Sequence, residues 1–232
     1  MPYLYGVDNG LHVSEVDYVI EGNSGPPPEL SNPPPSEADR AVARLIAAEV
    51  DDGACLQVGI GAMPNAVCSL LLESGVRDLG IHTEMLTDGI IDLYKAGTIT
   101  GSAKTIDCGK MVFSFALGSQ QSYRTIDRNE DFLCCSIEYT NLPHMIMRNE
   151  RFMAINNTTQ MDLQGQASSE SSGHRRISGT GGQLQFVRGA YASRTANHSS
   201  VYRRPMNAMG SARAASCSTS RPAMWSRRPA RT

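Results

Sequence analysis

Twice in succession a short apolar run gives way, through a loop, to residues spaced for a helix, and that alternation leaves few architectures open. Cys55-Leu56-Gln57-Val58 reads as a strand, Gly59-Ile60-Gly61-Ala62-Met63-Pro64 as a tight loop and Ala66 to Glu73 as a helix. Residues 79 to 83 read as a second strand, followed by a helix over 89–96 that Gly97 closes. Adjacent parallel strands need a crossover and a helix supplies it, so the fold class is α/β with an open, largely parallel sheet. Such sheets gather reactive groups at the carboxyl ends of their strands. Glu84 stands at one of those ends, in Gly80-Ile81-His82-Thr83-Glu84-Met85-Leu86-Thr87-Asp88-Gly89. A single acid ahead of a helix is also read simply as a favourable charge at the positive end of the helix dipole.

The remaining elements follow the same alternation. His12 to Ile20 is rich in β-branched residues with polar partners and predicts a strand. Residues 23–35 hold six prolines among Asn, Ser and Gly, as in a stiff connector. Ser36-Glu37-Ala38-Asp39 opens a helix with a capping Ser and acids in its first turn, and Ala41, Leu45, Ile46 and Val50 fall at helical spacing. Lys110 to Leu117 predicts one strand, Ser119 to Ile126 a short helix, Ser136 to Tyr139 a strand, and Phe152 to Asn156 another. Asn141, ahead of Pro143, is most simply a turn residue. Residues 164–182 are polar and rich in Gly and Ser, and order resumes at Leu184 to Ala192.

Two glycine stretches carry possible chemistry. Gly59 and Gly61 lie between a strand and a helix, where backbone N–H groups can approach an anion or an acyl oxygen. The loop has neither the third Gly of a dinucleotide fingerprint nor the Lys of a P-loop, so both readings fail. Ile177-Ser178-Gly179-Thr180-Gly181-Gly182-Gln183 is either a flexible loop or a glycine turn whose amides line a site.

Composition narrows the field. No apolar run approaches the length of a membrane span, and no basic segment followed by an apolar one marks a secretory signal at Met1 to Gly6. The six cysteines form no CxxC pair and the five histidines are scattered, so a metal site is not expected and the thiols fit a reducing compartment. Of the 21 Lys and Arg, eight are arginines in 194–232, a stretch without a single acid; 13 remain against 23 acidic residues in the rest. A basic tail on an acidic body is one form of nucleic-acid arm.

Taken together, Gly59 to Pro64, Gly80 to Gly89 and Ser178 to Gln183 resemble the acetyl-CoA hydrolase/transferase family, and within it the butyrate:acetyl-CoA and 4-hydroxybutyrate CoA-transferases. Met153-Ala154-Ile155-Asn156-Asn157 and Asp162-Leu163-Gln164-Gly165-Gln166 match as well, and the similarity runs from Met1 to about Ser193. The resemblance implies that Glu84 is a nucleophile carrying CoA as a glutamyl thioester between an acyl-CoA and a short-chain carboxylate. It implies oxyanion donors in the Asn141 side chain and the backbone of Gly181 or Gly182. Gly59, Ile60, Gly61, Gly179, Gly181 and Gly182 are then the CoA- and substrate-binding residues. It implies no bound cofactor, CoA being the substrate, and no metal. The partners implied are acyl-CoA and carboxylates, with no nucleic acid or membrane, in a cytoplasmic homodimer. A hydrolase, with water as the acceptor, is the related alternative; an inactive CoA-binding fragment is another.

The resemblance also divides the chain. Residues 1–35 resemble the end of the family's first domain and its Pro-rich crossover, most of that domain being absent. Residues 36–193 correspond to the catalytic CoA-transferase domain. From about 194 the text turns to Arg, Ala, Pro and Ser without periodicity, and is expected to be out of frame or a disordered basic tail. With GC-rich codons chosen for a one-base shift, Pro205 to Ser220 can be read as a segment closer to the family's continuation.

Overall fold

The computed structural model describes residues 2–7, 9–22, 25–30 and 33–194, with the backbone of 200–201 and 217–218. The basic tail expected from about 194 lies almost wholly outside the described residues. In chain order the elements are β1 (Tyr5–Gly6), α1 (Glu37–Ala47), β2 (Cys55–Val58), α2 (Ala62–Ser74), β3 (Gly80–Ile81), β4 (Met85–Leu86) and α3 (Asp88–Lys95). There follow β5 (Met111–Phe113), β6 (Phe115–Ala116), α4 (Gln120–Ile126), β7 (Phe132–Cys134), α5 (Ile137–Thr140), α6 (Pro143–Ile146) and β8 (Phe152–Ile155). Two small hairpins, β9 (Gln160–Met161) with β10 (Ala167–Ser168) and β11 (Ser171–Ser172) with β12 (Arg175–Arg176), precede α7 (Gln183–Ala192).

The sheet is parallel, as the strand–helix alternation predicts. β3, β2 and β8 form one three-stranded piece and β1, β7 and β5 another. An isolated parallel bridge between His82 and Val112 joins β3 to β5, and Thr83 N donates to Val112 O at 2.9 Å. The six strands therefore run β8-β2-β3-β5-β7-β1. Lys104 is buried at this joint, and its Nζ donates to Ile81 O at 3.0 Å and Lys110 O at 2.8 Å. β4 and β6 add a further parallel pair beyond the strand ends.

Why β8 and most of β2 are apolar at every position is explained by what covers them. Along β8, Met153 and Ile155 join the main core with Leu56 and Val58 of β2, while Phe152 and Ala154 face a second core with Cys55, Ile146, Phe186 and Ala190. Side chains alternate between faces, so a sheet covered on both sides loses the polar half of the pattern. Helices α1, α2 and α3 contribute Val42, Ile46, Val67, Leu71 and Ile90 to the first core; α6 and α7 close the second.

Ser36 caps α1 as expected, its hydroxyl accepting from Asp39 N at 3.2 Å while Asp39 Oδ2 accepts from Ser36 N at 2.8 Å. The buried stripe is Asp39, Val42, Ala43 and Ile46; of the four expected core positions Ile46 and Val50 are buried, while Ala41 and Leu45 face outward. The Pro-rich stretch is tied across α4, with Pro27 O accepting from Gln120 Nε2 and Pro28 O from Tyr123 Oη.

Three other expectations are corrected. His12 to Ile20 is not a strand: it holds one short 3-10 turn at Val13–Glu15, Tyr18, Val19 and Ile20 are exposed, and the segment pairs with no strand among the described residues. Lys110 to Leu117 is two strands broken at Ser114, whose amide turns to Glu84 O. Ser136 to Tyr139 is the cap and first turns of α5; the strand lies just before it, at β7, where Phe132 is buried. Among the described residues no helix is long and apolar enough to cross a membrane.

Candidate active site

The carboxyl ends of β2, β3 and β8 open into one cavity of about 540 Å³. Its wall includes Gln57 of β2 with Gly59 and Ile60 after it, Thr83 and Glu84 after β3, Asn156 to Thr159 after β8, and Gly179, Gly181 and Gly182 ahead of α7. This is where an open parallel sheet exposes strand-end loops.

Glu84 is half-buried and held by its backbone. Its carbonyl accepts from Ser114 N at 3.0 Å and from Phe115 N at 3.1 Å, in the break between β5 and β6. Its carboxylate is left for the cavity, where Oε2 accepts from Gly182 N at 2.9 Å. Gly182 is buried and has an ordinary helical φ of -77°, so it is not a glycine for conformational reasons. A Cβ there would overlap Glu84 Oε2 and lie 2.7 Å from Asn141 Nδ2. The three expected catalytic residues, Glu84, Asn141 and Gly182, thus converge on one point. Of the two candidate backbone donors, Gly182 makes the bond, while Gly181 lies exposed beside it.

Asn141 is a buried C-cap of α5 rather than an open turn residue. It stands behind the cavity wall, its Oδ1 accepting from Thr140 Oγ1 at 2.9 Å. Gly61, with φ +115°, begins α2 and also lies behind the wall; Asn157 Nδ2 donates to Ile60 O at 2.9 Å and would sit 3.0 Å from a Cβ on Gly61. Gly59, Ile60, Gly179, Gly181 and Gly182 all line the cavity. Gly59 N donates to Ile155 O at 2.8 Å, so this amide extends the sheet and is not free for a ligand.

Three further polar residues, Gln57, Asn156 and Glu170, line the wall. Gln57 and Asn156 are buried and exchange amide bonds, Gln57 Nε2 to Asn156 Oδ1 at 3.1 Å and Asn156 Nδ2 to Gln57 Oε1 at 2.9 Å. The available signal was Gln57 itself, a polar residue inside an apolar strand. Glu170 fastens the glycine turn: its Oε2 accepts from Thr180 Oγ1 at 3.1 Å and pairs with Arg176 at 3.3 Å, and its carbonyl accepts from Ile177 N at 2.8 Å. Nothing in the spacing points to Glu170, because its partners lie across a hairpin.

Beneath Glu84, His82 is fully buried. Its Nε2–H donates to Thr140 O at 2.9 Å, since a carbonyl only accepts, and Nδ1 finds no hydrogen-bond partner in the structure. Burial, with the nearby Lys104 charge, holds its pKa down at about 4. Burial likewise lowers the Lys104 ammonium and pushes the Cys55 thiol up to about 12, so that thiol stays protonated. Among the described residues no cluster of His, Cys, Asp and Glu is arranged to hold a metal ion.

Residues 118–216 match the acetyl-CoA hydrolase/transferase C-terminal domain. The chain is 44% identical over 191 residues to a butyryl-CoA:acetate CoA-transferase of Anaerostipes caccae, covering 82% of this chain and 43% of that protein. It is 42% identical over 194 residues to a 4-hydroxybutyrate coenzyme A transferase of Clostridium kluyveri, covering 84% and 44%. The crystal structure of RipA from Yersinia pestis superposes with a TM-score of 0.77 at 41% identity, over 85% of this chain and 43% of that one. The chain spans less than half the length of these relatives. On these similarities and this fold, the chain belongs to the acetyl-CoA hydrolase/transferase family.

Proposed function

We propose that this chain carries the catalytic half of an enzyme that transfers CoA between an acyl-CoA and a short-chain carboxylate, with Glu84 as the covalent carrier. The observation that carries the reading is the Gly182 N–H bonded to Glu84 Oε2 at 2.9 Å, at the mouth of strand-end loops and beside Asn141 Nδ2. A carboxylate oxygen attacks the thioester carbonyl, the C–S bond breaks, and the products are a mixed anhydride on Glu84 and CoA thiolate. The thiolate attacks the glutamyl carbonyl, the anhydride C–O bond breaks, and the first carboxylate leaves Glu84 as a CoA thioester. A second carboxylate runs the two steps backwards. This is nucleophilic catalysis split into near-balanced exchanges.

Every step passes through a tetrahedral oxyanion. The Gly182 N–H and the Asn141 amide are the donors for it, placed in advance as oxyanion stabilisation requires. Gly59, Ile60, Gly61, Gly179 and Gly181 shape the CoA side of the cavity. CoA is substrate, and the chemistry calls for no resident cofactor. Residues 36–193 form the catalytic unit, acetyl-, butyryl- and 4-hydroxybutyryl-CoA are the donors, and the working form is a cytoplasmic homodimer.

Incubation with acetyl-CoA followed by borohydride tests the carrier: mass spectrometry finds Glu84 reduced if the thioester forms. Folded protein that binds CoA yet leaves Glu84 unmodified would reduce the chain to a binding role. Release of CoA from acetyl-CoA should depend on added butyrate; release without any carboxylate acceptor would make the enzyme a hydrolase.

A further inference from the structure

Glu84 and Asn141 reach the same point from different elements, and Ser114 touches the supports of both. The break between β5 and β6 turns the Ser114 amide to Glu84 O. Its hydroxyl forms a short hydrogen bond with Thr140 Oγ1. Thr140 is fully buried, and its Oγ1 lies 2.9 Å from Asn141 Oδ1 and 3.4 Å from Ser136 O. A threonine hydroxyl has one proton, and an amide oxygen can only accept. The shorter contact takes the proton, so Thr140 donates to Asn141 and must accept from Ser114. The direction of the whole chain is thereby set, Ser114 to Thr140 to Asn141.

This direction has a consequence for Asn141. The oxygen and nitrogen of an amide are close in size, and a half-turn of the side chain exchanges them. In one orientation Nδ2 faces Gly182 and Glu84; in the other a carbonyl oxygen would face a carboxylate and repel a developing oxyanion. With Thr140 as the donor, only the first keeps this hydrogen bond. The Thr140 backbone is itself fixed, its carbonyl accepting from buried His82 and its amide donating to Ser136 O at 3.1 Å. Buried donors in series also polarise one another, strengthening the last one.

We propose that Thr140, supported by Ser114, is a positioning residue that orients the Asn141 amide as an oxyanion donor. The inference rests on the glutamyl-thioester reading above. Its test is Thr140→Val in the full chain, which keeps the shape and deletes the proton. The rate constant kcat should fall roughly ten- to hundredfold, below the loss for deleting an oxyanion donor outright. The KM for acyl-CoA should stay within about twofold, because the donor matters most after attack has begun. Thr140→Ser restores the hydroxyl and should restore kcat. A packing role alone would not give this split and rescue.

Borohydride trapping in the same preparations separates the two ideas. No Glu84 adduct in the wild type sinks the thioester reading and this inference with it. An adduct in the wild type with undiminished kcat in Thr140→Val sinks this inference alone. Where Thr140→Val fails to fold, Ser114→Ala decides: a fall in kcat at constant KM supports the relay, and an unchanged kcat overturns it.

Discussion

The two sides of the cavity are built differently. Glu84 stands on a sheet whose strands β2 and β8 are buried along their whole length. Facing it, the segment from Thr158 to Gly182 is two short hairpins and a glycine turn, with Leu163 and Ile177 exposed, held by hydrogen bonds and one ion pair. Packing positions the carboxylate; a few polar ties position its donor. A buried sheet resists displacement because any shift opens voids, whereas a hairpin tied by exposed polar groups resists it only as strongly as those ties.

Substitutions can break or sharpen this contrast. Glu84→Gln should abolish CoA transfer, by about 10⁴-fold or more in kcat, and remove the borohydride adduct while leaving the unfolding midpoint nearly unchanged. On the sheet side, Phe113→Ala deletes a fully buried ring and should cost about 3–5 kcal/mol in urea unfolding, against under about 0.5 kcal/mol for Leu163→Ala on the hairpins. Equal costs at the two positions would erase the contrast.

Gly182→Ala acts where the sides meet. Its methyl would overlap Glu84 Oε2 and crowd Asn141 Nδ2, and the displaced donor should cost about 100-fold in kcat with circular dichroism unchanged. The acid response belongs to the sheet side. His82 titrates at about 4 when folded and near its ordinary 6.5 when unfolded, so the unfolded chain binds the proton first. The stabilisation is complete above pH 6.5, declines as pH falls below that, and is exhausted near pH 4, a loss of roughly 3 kcal/mol for this group. Urea midpoints taken through that range should fall, and the fall should shrink in His82→Gln. The smallest effect is expected from Arg176→Ala: an exposed pair is worth at most about 1 kcal/mol, so stability barely moves while kcat drops a few-fold as the glycine turn loosens.

How far the fold was legible follows the same division. The strands at 55–58 and 152–155 and the helices after Ser36 and Ser119 were readable because local pattern and burial agree there. The misreadings have one cause. The β-branched run at 12–20 has no partner strand among the described residues, the apolar run at 110–117 is cut by a bond from Ser114 to Glu84, and α5 follows directly on β7, which fills the place in the sheet. In each case a tertiary partner, or its absence, overrides local propensity. At the site, Glu84, Asn141 and Gly182 were reached through family resemblance, and the structure brings them together. Gln57 shows in the sequence only as a polar residue inside an apolar strand, while Thr140 and Glu170 depend on the direction of a single proton and on partners across a hairpin, which no linear pattern carries.

The joint between β3 and β5 has a kinetic meaning. β2 and β8 share four registered pairs, while this joint has the His82–Val112 bridge, the Thr83 amide bond and the Lys104 ammonium spanning two carbonyls. Amide hydrogen exchange divides proteins into units that open together, and boundaries fall where contacts are fewest. This sheet has its natural boundary one or two residues before Glu84. The Thr83 amide should therefore exchange with solvent faster than those of Leu56 or Ala154, and replacing Lys104 by Met should widen the gap.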